Sequence, residues 1–357
     1  MTTTTNPQVI DDLIASPVEK VQVVSQSFSP ETQAKYLFDP GYRRNQLKQP
    51  NQNSAPLSSR AHAYATAAHA SATHTAYRQG FTAFATWCAD HSLTPLPADP
   101  DTVAAWIAEL ATDHSPATID LRLAAISAAH RAASLPSPTA AETVRLVRRG
   151  LRRTHGTAQR QARALVTDDI RAMVRPLTDS AIDTRDRAII LLGFAAALRR
   201  SELVALDWTD IDDTPEGLIV TVRRSKTDAE GSGRALAVPF GSVESTCPVR
   251  AIRRLRDGYS ASGAVFRSIR ANGSQQGRLS DRAVSLILKK RAGQVGIDPE
   301  TVSGHSLRAG LATSAARAGV SEMSIAKTTG HKSMQVLRRY VREGQIFDDL
   351  AASKLGL

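Results

Sequence analysis

Leu218-Ile219-Val220-Thr221-Val222-Arg223-Arg224 alternates along its length and is rich in β-branched residues, the pattern of a strand with one face buried. Ala235 to Val238 reads as its return strand, and Lys226 to Gly233 between them as a polar, glycine-bearing turn. Helical spacing surrounds this hairpin. Ile182 to Leu206 reads as helix before it, and Asp281 to Ala292, Leu307 to Ala318, Ser321 to Thr328 and Ser333 to Tyr340 read as helices after it. The half of the chain from Leu165 onward is therefore expected to be mixed α+β.

The preceding part has a different texture. From Leu57 to about His155 it is Ala-rich, with apolar residues at helical intervals: Tyr77, Phe81, Phe84 and Ala85, then Val103, Trp106, Ile107 and Leu110. Pro95, Pro97 and Pro100 separate one helix from the next, Ser115-Pro116 is suited to an N-cap followed by a first-turn proline, and a further break falls at Pro136 and Pro138. An all-α domain over 57–160 follows. Residues 1–56, rich in Thr, Ser, Asn, Gln and Pro, are expected to be a mostly disordered extension. The linker to the second domain, 161–357, is placed at Gly156-Thr157-Ala158-Gln159, after a run that holds Arg145, Arg148, Arg149, Arg152 and Arg153 with scarcely any acid. Such a run is commonly a solvated helix face. In a chain with 45 Lys+Arg against 34 Asp+Glu, a net charge of +11, the reading of contact with phosphates gains.

That charge favours a polyanionic partner, nucleic acid before an acidic membrane surface. The start of the chain lacks the basic and apolar pattern of a secretory signal, and the longest apolar run, Ala188 to Leu198, is too short to span a bilayer. A cytoplasmic, nucleoid-associated protein is expected. Cys88 and Cys247 are far apart and read as reduced, structural residues. No histidine pair has metal-site spacing, so neither a metal nor another cofactor is expected.

Breaking a phosphodiester without hydrolysis needs a nucleophile that retains the phosphate, cations for the transition state and an acid for the leaving oxygen. Arginine suits the second task because its planar fork donates two hydrogen bonds to phosphate and stays charged. Four segments offer candidates: Arg199 and Glu202, about one turn apart; Lys226 in the hairpin turn; His305-Ser306-Leu307-Arg308 near a helix start, where an anion is favoured; and Gly330-His331 through Tyr340. Each residue taken alone has an ordinary explanation. Arg199 can serve a helix end, Lys226 can be a solvated turn lysine, His331 a cap, and Tyr340 a half-buried core residue.

Their order and spacing together resemble the tyrosine recombinase (phage integrase) family: Arg, a β-turn Lys, HxxR, GH, and a Tyr nine positions after that His. The resemblance covers most of residues 57–357 and is strongest to the Cre-like branch. It rests there on His305-Ser306-Leu307-Arg308-Ala309-Gly310, Ala316-Arg317-Ala318-Gly319-Val320-Ser321, Trp87-Cys88 and His74-Thr75. Ser115 through His130 is similar to the family's core-binding domain.

The resemblance implies Tyr340 as nucleophile, Arg199, Arg308 and His331 as phosphate ligands, Lys226 as general acid, His305 as an aid to proton transfer and Glu202 as a supporting residue. It also implies double-stranded DNA with inverted-repeat half-sites, a dimer on each site, a tetramer in synapsis, and a docking helix within Phe347 to Leu355. A type IB-like topoisomerase and a catalytically silent DNA-binding regulator would use the same fold.

Overall fold

A computed structural model describes residues 28–39, 71–156, 162–223, 225, 233–258, 262–330 and 333–344. The chain divides into two units, Met1–Arg160 and Gln161–Leu357. Among its described residues the first unit holds five α-helices and no strand: α1 (Pro30–Phe38), α2 (Ser71–Asp90), α3 (Pro100–Leu110), α4 (Pro116–Ala132) and α5 (Glu142–His155). Local chemistry sets three of the starts. Ser29, Asp99 and Ser115 each accept a hydrogen bond from a first-turn backbone N–H, and each precedes a proline, which has no N–H to leave unpaired. Such a cap contributes about 1 kcal/mol.

The helical stripes read from the sequence face one core. Phe81, Phe84, Ala85 and Cys88 of α2 meet Val103, Trp106 and Ile107 of α3 and Ile119, Leu123 and Ile126 of α4 there. Burial pushes the Cys88 thiol up to about 12, so it stays protonated.

Helix α1 is an ordered element within the stretch expected to be mostly disordered; the rest of residues 1–56 lies outside the described residues. Ala34 is wholly buried in the same core, and the Phe38 ring packs edge-on against Phe81 with 6.2 Å between centroids. Nine residues of low hydrophobicity make a marginal helix alone; contact with α2 supplies what the local pattern lacks.

His130 fixes the α3 entry against α4. Its Nε2 accepts from Ala98 N–H at 3.0 Å and its Nδ1 donates to Ile126 C=O at 2.9 Å. Those partners demand the neutral Nδ1–H tautomer, and burial holds its pKa below the ordinary histidine value. The unfolded chain therefore takes up this proton first as pH falls. Stability from His130 is fully present above the unfolded value, about 6.5, and is lost below it. Hydrogen exchange of peptides spanning Leu96 to Ala133, corrected for intrinsic rates, should lose protection as pH falls below the unfolded histidine value of about 6.5. In His130→Gln that dependence should flatten; an equal pH dependence in both proteins would contradict the assignment.

The second unit runs α6 (Thr167–Val174), α7 (Ala181–Ala195), α8 (Arg200–Ala205), β1 (Ile211–Thr214), β2 (Gly217–Val222), β3 (Arg234–Pro239), α9 (Pro248–Asp257), β4 (Arg267–Ile269), β5 (Gln275–Arg278), α10 (Asp281–Gly293), α11 (Ser306–Arg317), α12 (Glu322–Thr329) and α13 (Met334–Gly344). This is the mixed α+β architecture expected. β1-β2-β3 form an antiparallel sheet in which Leu218, Val220 and Val222 pair with Val238, Leu236 and Arg234. The apolar members of those pairs are buried, while Ile219 on the opposite face is exposed. Helix α7 is the central element: Ala188 to Leu192 are buried without interruption, so it is enclosed on every side. No described helix is long and apolar enough to cross a membrane.

The single helix expected over Ile182 to Leu206 is two helices. α7 stops at Ala195, Ala197 takes a left-handed φ of 49°, and Arg199 is the extended N-cap of α8. Leu198, Leu203 and Leu206 all reach the same core, so apolar periodicity continues across a reversal that carries neither Gly nor Pro. Gly310 of α11 marks another close approach. A Cβ there would lie 1.8 Å from the Leu165 carbonyl, where the entering chain donates Leu165 N–H to Ser306 C=O.

Away from these turns, a buried ion cluster joins α10 to α7. Arg291 donates to both Asp186 and Asp183, and Arg185 donates to Asp186 from within α7.

Candidate active site

Arg199, Glu202, Arg234 and Arg308 converge where α8, β3 and α11 meet. Glu202, at the third position of α8, is only 3% exposed. Its Oε2 accepts Arg199 N–H at 3.0 Å, closing the first turn of the helix, and its Oε1 accepts from the Arg199 guanidinium at 2.5 Å. From across the sheet, Arg234 donates to Oε2 at 3.3 Å. Arg199 also donates to Ser225 Oγ at 3.4 Å.

Arg308 approaches from the first turn of α11 and is 5% exposed. Its Nη1 donates to the Ala197 carbonyl at 3.0 Å, which is the strained residue of the α7–α8 turn. Its Nη2 is buried with no hydrogen-bond partner among the described residues. Burial and the cations of Arg199 and Arg234 push the Arg308 pKa down to about 10, against the opposing pull of Glu202 and Tyr340. Arg308 remains a cation at neutral pH. Three guanidiniums thus gather around one carboxylate, with a donor left over. An anion with free oxygens would satisfy both the charge and Nη2, and the N-terminus of α11 adds a favourable dipole.

Tyr340 lies on α13, half-buried beside Ala312, Ala316, Ile325, Leu337 and Val341. This packing joins α11 to α13 and puts the phenol near enough to Arg308 to act on its charge. His305 is the exposed N-cap residue of α11. Lys226 and His331 lie outside the described residues. Their neighbours do not: Ser225 bonds to Arg199, and Gly330 abuts Arg234.

The profile of the phage integrase family matches residues 163–345, which include every one of these positions. The chain belongs to the phage integrase family, the tyrosine recombinases. It is 36% identical over 286 residues to the integrase/recombinase xerD homolog of Selenomonas ruminantium, covering 78% of this chain and 84% of that protein. Recombinase cre of Escherichia phage P1 is 27% identical over 284 residues, covering 72% and 80%. Similarity to Cre is present, but the xerD homolog shares more residues, which corrects the emphasis on the Cre-like branch. In fold, the chain resembles the XerH site-specific recombinase solved on palindromic difH substrate, with TM-score 0.57, 14% identity, and coverage of 79% of this chain and 78% of that one.

In this tyrosine recombinase the sequence reading missed Arg234. The residue sits at an inward-facing strand position, where alternation calls for an apolar side chain; that breach of pattern was the available signal. The arginine run of the first unit divides by partner. Arg148 and Arg152 both bind Asp120 of α4, at 2.6 and 2.5 Å, and Arg145 binds Glu142. Arg149 and Arg153 are exposed, without an ion pair among the described residues.

Removing the charge of Glu202 should leave the three guanidiniums in mutual repulsion. Glu202→Gln is expected to lose about 3–5 kcal/mol of stability. Added sulfate should recover part of it by binding the freed cations. Thermal unfolding in sulfate and in chloride at matched ionic strength checks this, and an equal sulfate shift in wild type and variant would contradict it.

Proposed function

We propose that this site-specific recombinase cuts and rejoins double-stranded DNA through a covalent bond between Tyr340 and a 3′-phosphate. The Tyr340 oxygen attacks the scissile phosphorus, the bond to the 5′-oxygen breaks, and the products are a 3′-phosphotyrosyl link and a free 5′-hydroxyl. Arg199 and Arg308 clamp the non-bridging oxygens, with His331 adding a further donor. Lys226 protonates the leaving 5′-oxygen, and His305 assists removal of the tyrosine proton. Joining is the same step in reverse, with a 5′-hydroxyl of another strand as nucleophile. Bond energy is conserved in the phosphotyrosine, so the cycle requires neither ATP nor a metal.

The observation that carries this reading is the Arg308 Nη2, buried among cations near Tyr340 and without a partner among the described residues. A folded protein leaves such a donor empty at a cost of about 1–3 kcal/mol, and a phosphate oxygen would fill it. Support for DNA as the anion comes from the net charge of +11 and from family membership.

The first unit serves as the core-binding domain, with Arg149 and Arg153 the candidates of its arginine run best disposed to meet backbone phosphates. Two protomers occupy inverted half-sites and two such pairs form the synaptic tetramer. Phe347 to Leu355, outside the described residues, would dock on a neighbouring protomer.

Tyr340→Phe should abolish covalent capture while leaving site binding nearly intact, since the hydroxyl is needed for attack and the arginines for affinity. A nicked suicide substrate resolved on a denaturing gel tests it; a 3′-linked adduct persisting in the Phe variant would exclude Tyr340.

A further inference from the structure

We propose that Arg234 is a positioning residue of the active site, tying the strand that follows Lys226 to the end of α12 that precedes His331 by way of Glu202. The inference rests on the roles given above to Lys226 and His331.

Arg234 is the first residue of β3, directly after the hairpin turn, and faces the core side together with Leu236 and Val238. A valine at this inward position would satisfy the strand, as Val222 does opposite it. The guanidinium instead makes two bonds to different segments. Nη2 donates to Glu202 Oε2 at 3.3 Å, and Nη1 donates to Thr328 C=O at 3.2 Å, at the end of α12. Thr328 lies three residues before His331 in the sequence.

The chain then turns at Gly330, whose φ of 65° is left-handed and whose backbone passes close to the same guanidinium. A Cβ at Gly330 would fall 2.4 Å from Arg234 Nη1. The space that a side chain at 330 would fill is thus taken by Arg234, and the glycine permits both the turn and the approach. One planar group therefore bears on three segments: the α8 start with Arg199, the outgoing limb of the hairpin, and the loop before His331. Lysine could not replace it, having a single nitrogen for two directions. Arg234 also adds to the cationic field at Arg308.

A group that merely stabilised the fold would alter all substrates alike. A group that sets the position of the general acid has a distinct signature, because a 5′-phosphorothiolate leaving group departs without protonation. Cleavage rates should therefore be measured on nicked suicide substrates with a 5′-oxygen or a 5′-sulfur at the scissile bond, for wild type, Lys226→Ala, Arg234→Met and Arg234→Lys. Misplacement by about 1 Å costs on the order of 10²-fold in rate. Arg234→Met is expected to slow the oxygen substrate by about that factor and to recover at least tenfold on the sulfur substrate relative to wild type.

Arg234→Lys keeps the charge and should show the same substrate pattern at smaller size; it decides the matter if the Met variant does not fold. Rescue of Lys226→Ala but equal slowing of both substrates in the Arg234 variants would overturn the positioning role. Failure of the sulfur substrate to rescue Lys226→Ala would instead overturn the general-acid assignment, and the role of Arg234 with it.

Discussion

A carboxylate withdrawn from water costs several kcal/mol unless cations and donors surround it. Glu202 meets that condition by accepting twice from Arg199 and once from Arg234, and in doing so fixes where both guanidiniums stand. One negative charge cannot balance three positive ones. The surplus shows at Arg308, whose pKa is depressed and whose Nη2 has no partner among the described residues. The site thus carries a surplus of positive charge and a free donor, a setting suited to an anion. Preorganised donors of this kind stabilise charge on a reacting group without having to reorient during the reaction.

The scaffold holds each piece by a separate device. Arg308 reaches the carbonyl of Ala197, so the strained turn between α7 and α8 is anchored by a residue of the site itself. Leu165 rests on α11 at Gly310, fixing the helix that presents Arg308. Asp186, buried between Arg185 and Arg291, locks α7 to α10 at some remove. Tyr340 depends on the small cluster of Ala312, Ala316, Ile325, Leu337 and Val341, separate from the main core. That cluster, formed by α11, α12 and α13, is what seats the helix of the proposed nucleophile.

Residue pattern made much of this legible and left specific parts obscure. The hairpin was readable because β-branched alternation and a polar turn are local signals, and the helices of the first unit because their caps and stripes agree. The end of α7 was not, since Ala197 turns the chain without Gly or Pro while the apolar spacing runs on. Helix α1 escaped notice for the opposite reason: its local signal is weak, and its burial against α2 comes from residues distant in sequence. Among site residues, Arg199, Glu202, Arg308 and Tyr340 were marked by ordered motifs, and the structure brings them together. Arg234 belongs to no motif, and only its inward register sets it apart. The exposed arginine run shows the limit of charge counting, because Asp120 engages two of its members within the unit.

The guanidinium surplus is proposed to hold a charged phosphodiester. Replacing the scissile phosphate by a neutral methylphosphonate separates this charge requirement from geometry. Cleavage of the two substrates by wild type and Arg308→Ala would then be compared. Arg308→Ala should slow the phosphodiester by about 10²-fold or more, and the methylphosphonate by at least about tenfold less. Equal slowing on both substrates would mean that Arg308 does not act on the phosphate charge.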